Sequence, residues 1–188
     1  MFECRVATEE DLPSIHSILE HFIRNSVVSW RHAEEDPLLK LSNMQEQFRA
    51  RKTGDWIVAV SKGAGTIVGY AYASPFKALH GWNQTVENSI YVRKGYEGKG
   101  IGSLLLGSLI CFCREWGFKQ MVALIACDGT GLGQASLKLH GKHGFVKVGQ
   151  LRACGSKFDH IDMDCTIMQR SLQEEGEEKK VSTEAEKS

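Results

Sequence analysis

A chain of 188 residues, 42% of them hydrophobic, has the size of one domain and buries a core without disulfide or metal staples. Its 23 basic and 23 acidic residues cancel, which argues against a surface built to track a nucleic-acid backbone. No run reaches the roughly 18 apolar residues of a membrane span, and Met-Phe-Glu-Cys-Arg-Val at the start carries no signal-peptide pattern, so a soluble cytoplasmic protein is expected.

Along the chain, Thr8-Glu-Glu-Asp11 reads as a helix start, with Asp11 three residues after Thr8 in a variant capping box. Leu12, Ile15, Leu19, Phe22 and Ile23 then recur at helical spacing. Leu38 to Arg51 is a second, weaker helix. Trp56–Val60 and Thr66–Tyr72 are β-rich runs joined by Ser-Lys-Gly-Ala-Gly, turn chemistry for a hairpin. Thr85–Val92 is a third strand. A glycine-rich turn leads into an apolar helix from about Ile101 to Trp116. Gln120–Ala126 is a strand, and Gln134–His143 is a short helix closed by Gly144 as a C-cap. Phe145–Gly149 and Ile161–Gln169 are late strands. Hairpin strands first and alternating strands and helices second imply a mixed α/β or α+β layer. From about residue 171 the chain turns acidic, with six Glu and three Lys, and reads as a disordered tail. The body before it carries 20 basic and 17 acidic residues. The six cysteines, Cys4, Cys111, Cys113, Cys127, Cys154 and Cys165, form no CxxC and are expected as free thiols in a reducing compartment.

Thirteen of the 19 glycines lie between Gly95 and Gly155. Val92-Arg-Lys-Gly95-Tyr-Glu-Gly98-Lys-Gly100-Ile-Gly102-Ser103 leaves a strand and enters a helix, where free N–H groups attract an anion. A plain tight turn needing positive φ fits the same glycines. A Walker loop does not fit, because Arg93 stands at its first Gly and Gly100 follows Gly98-Lys99. A dinucleotide fingerprint does not fit, because Leu105 stands at its third Gly and Gln120 offers no acid. The acyl-CoA loop Gln/Arg-x-x-Gly-x-Gly/Ala does fit, on Glu97-Gly98-Lys99-Gly100-Ile101-Gly102, with Glu97 at its first position. Backbone amides from Gly98 to Ser103 would then cradle a pyrophosphate without a metal.

Further motifs join this loop: Ala7-Thr-Glu-Glu-Asp-Leu, Val68-Gly-Tyr-Ala-Tyr-Ala73, Pro75-Phe-Lys-Ala78, Thr85-Val-Glu-Asn-Ser-Ile-Tyr-Val92, Leu139-His140 with Gly144-Phe145, and Gly155-x-Lys157-Phe158 with Asp162 and Met168-Gln169. With them the chain resembles the GNAT superfamily of acetyl-CoA-dependent N-acetyltransferases over residues 3–172. Within it the chain is similar to the phosphinothricin and methionine sulfoximine acetyltransferases. The resemblance implies one domain over 1–172 and an α/β (α+β) fold with a mixed, mostly antiparallel sheet flanked by helices, which leaves 173–188 as the disordered acidic tail that composition gives. It also implies acetyl-CoA as donor, no metal, a small amine as acceptor and a homodimer.

It further assigns roles. Glu87 in Thr-Val-Glu is the general base. The main chain at Ile90, Tyr91 and Val92 contacts pantetheine, and one of its N–H groups stabilises the developing oxyanion. Glu97, Gly98, Lys99, Gly100, Ile101, Gly102 and Ser103 hold the pyrophosphate, and Ser136 contacts CoA. His140 is either the acid for the leaving thiolate or a CoA-packing residue. Ser26, Trp30, Lys77 and Tyr91 join Glu87 as substrate-binding candidates, whereas Phe76 and Trp82 fit a core as well as a pocket. The chain departs from the family at Leu79, where Arg is usual and where His80, Lys77 or Arg31 would substitute. It departs also at Gly133, where Asn is usual, so that a CoA hydrogen bond is either lost or supplied by Gln134. His140 and His143 share a helical face but lack a third metal ligand. Acceptors of other kinds, a peptide N-terminus or a polyamine, fit the same fold, as does a non-catalytic acyl-CoA-binding module.

Overall fold

Asp11 fixes the start of the first helix. Its carboxylate accepts the Thr8 N–H at 2.8 Å and a two-pronged contact from the Arg5 guanidinium at 2.6 and 2.8 Å. In the computed structural model, which describes residues 1–50 and 56–173, this turn is a 3₁₀ segment, Glu9–Asp11, that leads into α1, Leu12–Asn25. The remaining elements are β1 (Phe2–Val6), α2 (Leu41–Ala50), β2 (Trp56–Ser61), β3 (Ile67–Pro75), β4 (Thr85–Val92), α3 (Ile101–Glu115), β5 (Gln120–Cys127), α4 (Gln134–Lys142), β6 (Val146–Lys157) and β7 (His160–Ser171). The second helix is shorter than expected, because Pro37–Leu39 forms a separate 3₁₀ turn. Arg51 and the tail beyond Gln173 lie outside the described residues.

Seven strands form one sheet in the order β1-β2-β3-β4-β5-β7-β6. Every neighbouring pair is antiparallel except β4 and β5. This is the mixed, mostly antiparallel α/β fold expected from the sequence. Two cores sit on its two faces, because side chains alternate along each strand. Trp56, Val58, Val60, Ile67 and Tyr70 pack with α1 and α2, around Ile15, Leu19, Ile23 and Met44. Ile57, Ala59, Val68, Ala71 and Val86 pack with α3, around Leu105, Leu106 and Leu109. The α3 run is therefore an apolar core helix.

The parallel pair positions the site. Its ladder holds only Thr85↔Gln120, Val86↔Met121 and Glu87↔Val122. β4 continues to Val92 and β5 to Cys127 without pairing, so the strands part just after Glu87. The backbone groups they turn toward each other beyond that point lack ladder partners, which is an opening a ligand with amide groups can fill.

Candidate acyl-transfer site

A cleft of about 530 Å³ opens where β4 and β5 part, and it reaches both faces of the sheet. On the α1–α2 face it is lined by Ser29, Trp30, Arg31, Tyr72, Glu87 and Tyr91. On the α3–α4 face it is lined by Asn88, Ile90, Val92, Gly102, Ser136 and His140, and Ala123 to Ala126 of β5 form its other wall. Strand alternation causes this division. Glu87 and Asn88 are neighbours on β4, so one side chain must face each side of the sheet.

Glu87 is half-buried. Burial raises its carboxyl above the usual range, and the nearby Lys77 and Arg31 cations hold it partly down. A carboxylate of raised proton affinity facing a cleft is a competent base for an amine. Burial works against the charge of Arg31 as well, but Tyr72 and Asp36 outweigh it and keep the guanidinium protonated. Its NH1 bonds Asp36 at 2.7 Å. Tyr91 stacks on Tyr70 at 5.1 Å and meets Phe22 edge-on at 5.1 Å, with burial holding its phenol protonated.

His140 is 4% exposed. Its Nδ1 lies 2.8 Å from the Ser136 carbonyl and its Nε2 3.0 Å from Asn88 Oδ1, while Phe145 packs edge-on at 4.9 Å. Burial pushes its pKa down, the Ser136 carbonyl pushes it up, and His143 adds to the lowering. Asn88 Nδ2 donates to the Val122 carbonyl at 3.0 Å, so this side chain closes the vertex where the strands part.

The glycine loop runs from β4 to α3. Gly95, Gly98 and Gly100 all have positive φ, and Gly100, at +80°, is the N-cap of α3. The first intrahelical bond is Leu104 N–H to the Gly100 carbonyl at 3.0 Å, so the amides of Ile101, Gly102 and Ser103 have no intrahelical acceptor. Glu97 turns inward, accepting the Gly95 N–H at 2.7 Å, while Lys99 Nζ donates to the Gly95 carbonyl at 2.9 Å. Ser103 Oγ meets His143 Nε2 at 2.7 Å. A shared opening, unpaired main chain on β4 and β5, and free amides at the α3 N-terminus fit an extended thioester with a pyrophosphate. The lining residues that could hold it are Ile90 to Val92, Gly102 and Ser136.

Gly133 caps α4 at φ +81°, and a Cβ there would lie 2.4 Å from the Ala126 carbonyl. An Asn does not fit this backbone. Instead Asp128 accepts from Thr130 N–H at 2.9 Å, Thr130 Oγ1 at 2.8 Å and Leu132 N–H at 3.3 Å, which orders the Gly129–Gly133 run.

Of the residues singled out from the sequence, the cleft brings together Trp30, Glu87, Ile90, Tyr91, Val92, Gly102, Ser136 and His140. Glu97, Gly98, Lys99, Gly100, Ile101 and Ser103 lie outside its lining, and Ile101 is core. Ser26 ends α1 and accepts the Val28 N–H at 3.3 Å. Lys77 acts on Glu87 electrostatically, and Phe76 pairs with Trp82 at 5.5 Å, away from the lining. Asn88, Ser29 and the packing role of Lys157 were not anticipated. The signal for Asn88 was present, as the one polar side chain in the inward series Val86, Asn88, Ile90, Val92.

Residues 15–145 match the model of the acetyltransferase (GNAT) family. The chain is 35% identical over 173 residues to the L-amino acid N-acyltransferase MnaT of Escherichia coli (strain K12), covering 92% of this chain and 95% of that one. It is 37% identical over 169 residues to an L-methionine sulfoximine/L-methionine sulfone acetyltransferase of Pseudomonas paraeruginosa, covering 89% and 93%. A phosphinothricin acetyltransferase from Sinorhizobium meliloti, solved in complex with acetyl-CoA, superposes with a TM-score of 0.80 at 33% identity over 91% of this chain and 88% of that one. With a cleft at its parted strands, a carboxylate on one side and an imidazole on the other, the chain belongs to the GNAT family and is an acetyl-CoA-dependent N-acetyltransferase.

Proposed function

We propose that this enzyme acetylates the α-amine of a small amino-acid-like acceptor of the methionine sulfoximine, methionine sulfone or phosphinothricin kind, by direct attack. The observation that carries this reading is the position of Glu87 and His140 on opposite faces of one opening. Acetyl-CoA supplies the acyl group when bound. Glu87 removes a proton from the acceptor ammonium, directly or through water. The freed nitrogen forms the C–N bond as the C–S bond breaks, and it gives up its second proton to solvent water to become the neutral amide. A main-chain N–H near Tyr91 and Val92 donates to the acyl oxygen. His140 delivers a proton to the departing sulfur.

The acceptor class is supported by the charges of the α1–α2 face. Leu79, at the position of the family's usual Arg, is 74% exposed and outside the cleft. Arg31 lines the cleft beside Glu87 and is the guanidinium available to an acceptor carboxylate. An anion and a cation on one wall suit a zwitterion better than a polyamine. The catalytic unit in this reading is one domain, residues 1–172. The free thiols of Cys4, Cys111, Cys127, Cys154 and Cys165 support work in a reducing compartment, the cytoplasm, where cell fractionation would find the protein. The apolar side chains along β6 support a homodimer.

A thioester-cleavage assay over a panel of amines tests the reading. Amino-acid sulfoximines and sulfones should be turned over, and Glu87→Gln should lower kcat by about 10²-fold or more. Turnover of peptides or polyamines alone would replace the acceptor. Full activity in Glu87→Gln would remove the base.

A further inference from the structure

We infer that Asn88 is a positioning residue that orients the His140 ring and holds a proton on its Nε2. The inference deepens the proposed reading and rests on it for the use made of that proton. It starts from the hydrogen-bonding capacity of imidazole. The neutral ring has one N–H, and the imidazolium has two.

Both ring nitrogens of His140 face acceptors. Nδ1 lies 2.8 Å from the main-chain oxygen of Ser136, which has no proton to give. Nε2 lies 3.0 Å from Asn88 Oδ1. The Asn88 amide is not free to turn over, because its Nδ2 donates to the Val122 carbonyl at 3.0 Å. A turned amide would set oxygen against oxygen there. Ser136 Oγ offers Nδ1 only a longer contact, at 3.3 Å. A neutral His140 therefore leaves one nitrogen against an acceptor without a hydrogen between them. The imidazolium satisfies both.

Other groups oppose that charge or leave it alone. The ring is buried, and burial lowers its proton affinity. His143, on the same helical turn, acts in the same direction. Phe145 presents its ring edge-on. From β4 the facing group is the neutral Asn88, because Glu87 points through the other face of the sheet. From β5 the contributor is the Val122 carbonyl, already engaged by Asn88. The proton is thus bound by geometry and loosened by burial, the condition of an acid that gives its proton up readily. Val122 is also the last rung of the β4–β5 ladder, so Asn88 ties the ring to the vertex of the opening.

The sign of the effect follows. The protonated ring is the acid, so His140-dependent activity is full below its pKa and lost as pH rises through it. Asn88→Leu keeps the volume and removes the acceptor, so His140 should titrate lower, by about one pH unit. Asn88→Asp places a carboxylate before Nε2, and His140 should titrate higher by a similar amount. The measurement is an NMR titration of ¹⁵N-histidine-labelled protein, with His140→Gln to assign the signal, set beside the pH profile of kcat. Its alkaline limb should move down in Asn88→Leu and up in Asn88→Asp. A His140 midpoint unmoved in both variants overturns the inference. Because the titration needs no turnover, shifted midpoints in an inactive protein keep the role of Asn88 and discard the enzymatic reading. Turnover with unmoved midpoints does the reverse. If Asn88→Leu does not fold, as a thermal melt would reveal, Asn88→Asp alone decides.

Discussion

Arg31 helps to set the charge state of Glu87. Burial draws the Glu87 carboxyl toward its neutral form, and Lys77 and Arg31 draw it back. The proposed mechanism requires the base form, so activity should be lost as pH falls through a pKa raised above the ordinary carboxylate value. Arg31→Gln removes one of the two cations that lower this pKa. The pKa should rise further, and the acid-side loss of kcat/KM should begin at higher pH than in the wild type. If Arg31 also holds the acceptor carboxylate, KM for the amino acid should rise about tenfold, the size of one lost charge-assisted hydrogen bond. KM for acetyl-CoA should not change. An unshifted acid limb together with an unchanged acceptor KM would remove Arg31 from the site. At this scale the places of Glu87 and His140 at the cleft were legible through their motifs, because a shared signature carries a shared position in the fold. Glu97 was not. It stands where the loop pattern carries Gln or Arg and is expected to hold pyrophosphate, yet its carboxylate bonds the Gly95 N–H inside its own loop. Side-chain direction in a loop is set by turn geometry that one-dimensional spacing does not carry.

Between elements, the segment after α1 is held on the β6–β7 hairpin by three successive residues of β6. Trp30 packs on Gly155, where a Cβ would lie 2.3 Å from its ring. His32 Nε2 meets the Ser156 carbonyl at 3.1 Å. Lys157, 2% exposed, donates to the Ser29 carbonyl at 3.0 Å and the Phe22 carbonyl at 3.4 Å. Ser29, Trp30 and Arg31 line the α1–α2 face of the cleft, so this clasp positions the wall that the proposed reading gives to the acceptor. Gly155→Ala should displace Trp30 at an overpacking cost of about 1–3 kcal/mol, lowering Tm by about 2–4 °C for each kcal/mol in a chain of this length. It should raise KM for the acceptor and spare KM for acetyl-CoA. An unchanged acceptor KM alongside a lowered Tm would make the clasp purely structural. The Gly155-x-Lys157 motif was visible in the sequence, but its partners lie more than a hundred residues away, and no local pattern points to them. The same limit hid β1, a five-residue edge strand with burial on few positions. It also shortened β6, whose mostly exposed residues leave no apolar alternation beyond Gly149. The elements read closest to their observed bounds are β2, β4, α3, β5 and α4; the first four line a buried core, and α4, with only His140 buried, is marked instead by Gly144 beyond its end at φ +77°.

Across the whole molecule, the two edges of the sheet are treated differently. β1 guards one edge with charge: Glu3 pairs with Lys62 at 3.0 Å and Arg5 with Asp11 at 2.6 Å. Charged side chains on an edge discourage pairing with another chain. β6 forms the other edge and carries Val146 at 63% exposure and Val148 at 53%, with Ile161 of β7 at 73%. A long edge with exposed apolar residues is a liability unless something covers it. The β6–β7 register shifts at three places, between Lys147 and Gly149, between Leu151 and Gly155, and between Gly155 and Lys157. These irregularities disfavour a continuous strand-to-strand ladder, so a second copy would cover the hairpin by side-chain packing. The hairpin also carries the clasp, which would couple that contact to the acceptor wall. Sedimentation of the wild-type chain should therefore give twice the mass of one chain. Val148→Lys combined with Ile161→Lys should give a folded monomer, since buried charges at an apolar interface lack partners. The monomer should keep its affinity for acetyl-CoA and lose affinity for the acceptor, because no residue of the cleft lining comes from β6 or β7, whereas the hairpin holds Ser29 and Trp30 through the clasp. A wild-type chain that sediments as a monomer would leave that apolar edge bare and refute the dimer. A dimer that persists in the double variant would move the interface to another face.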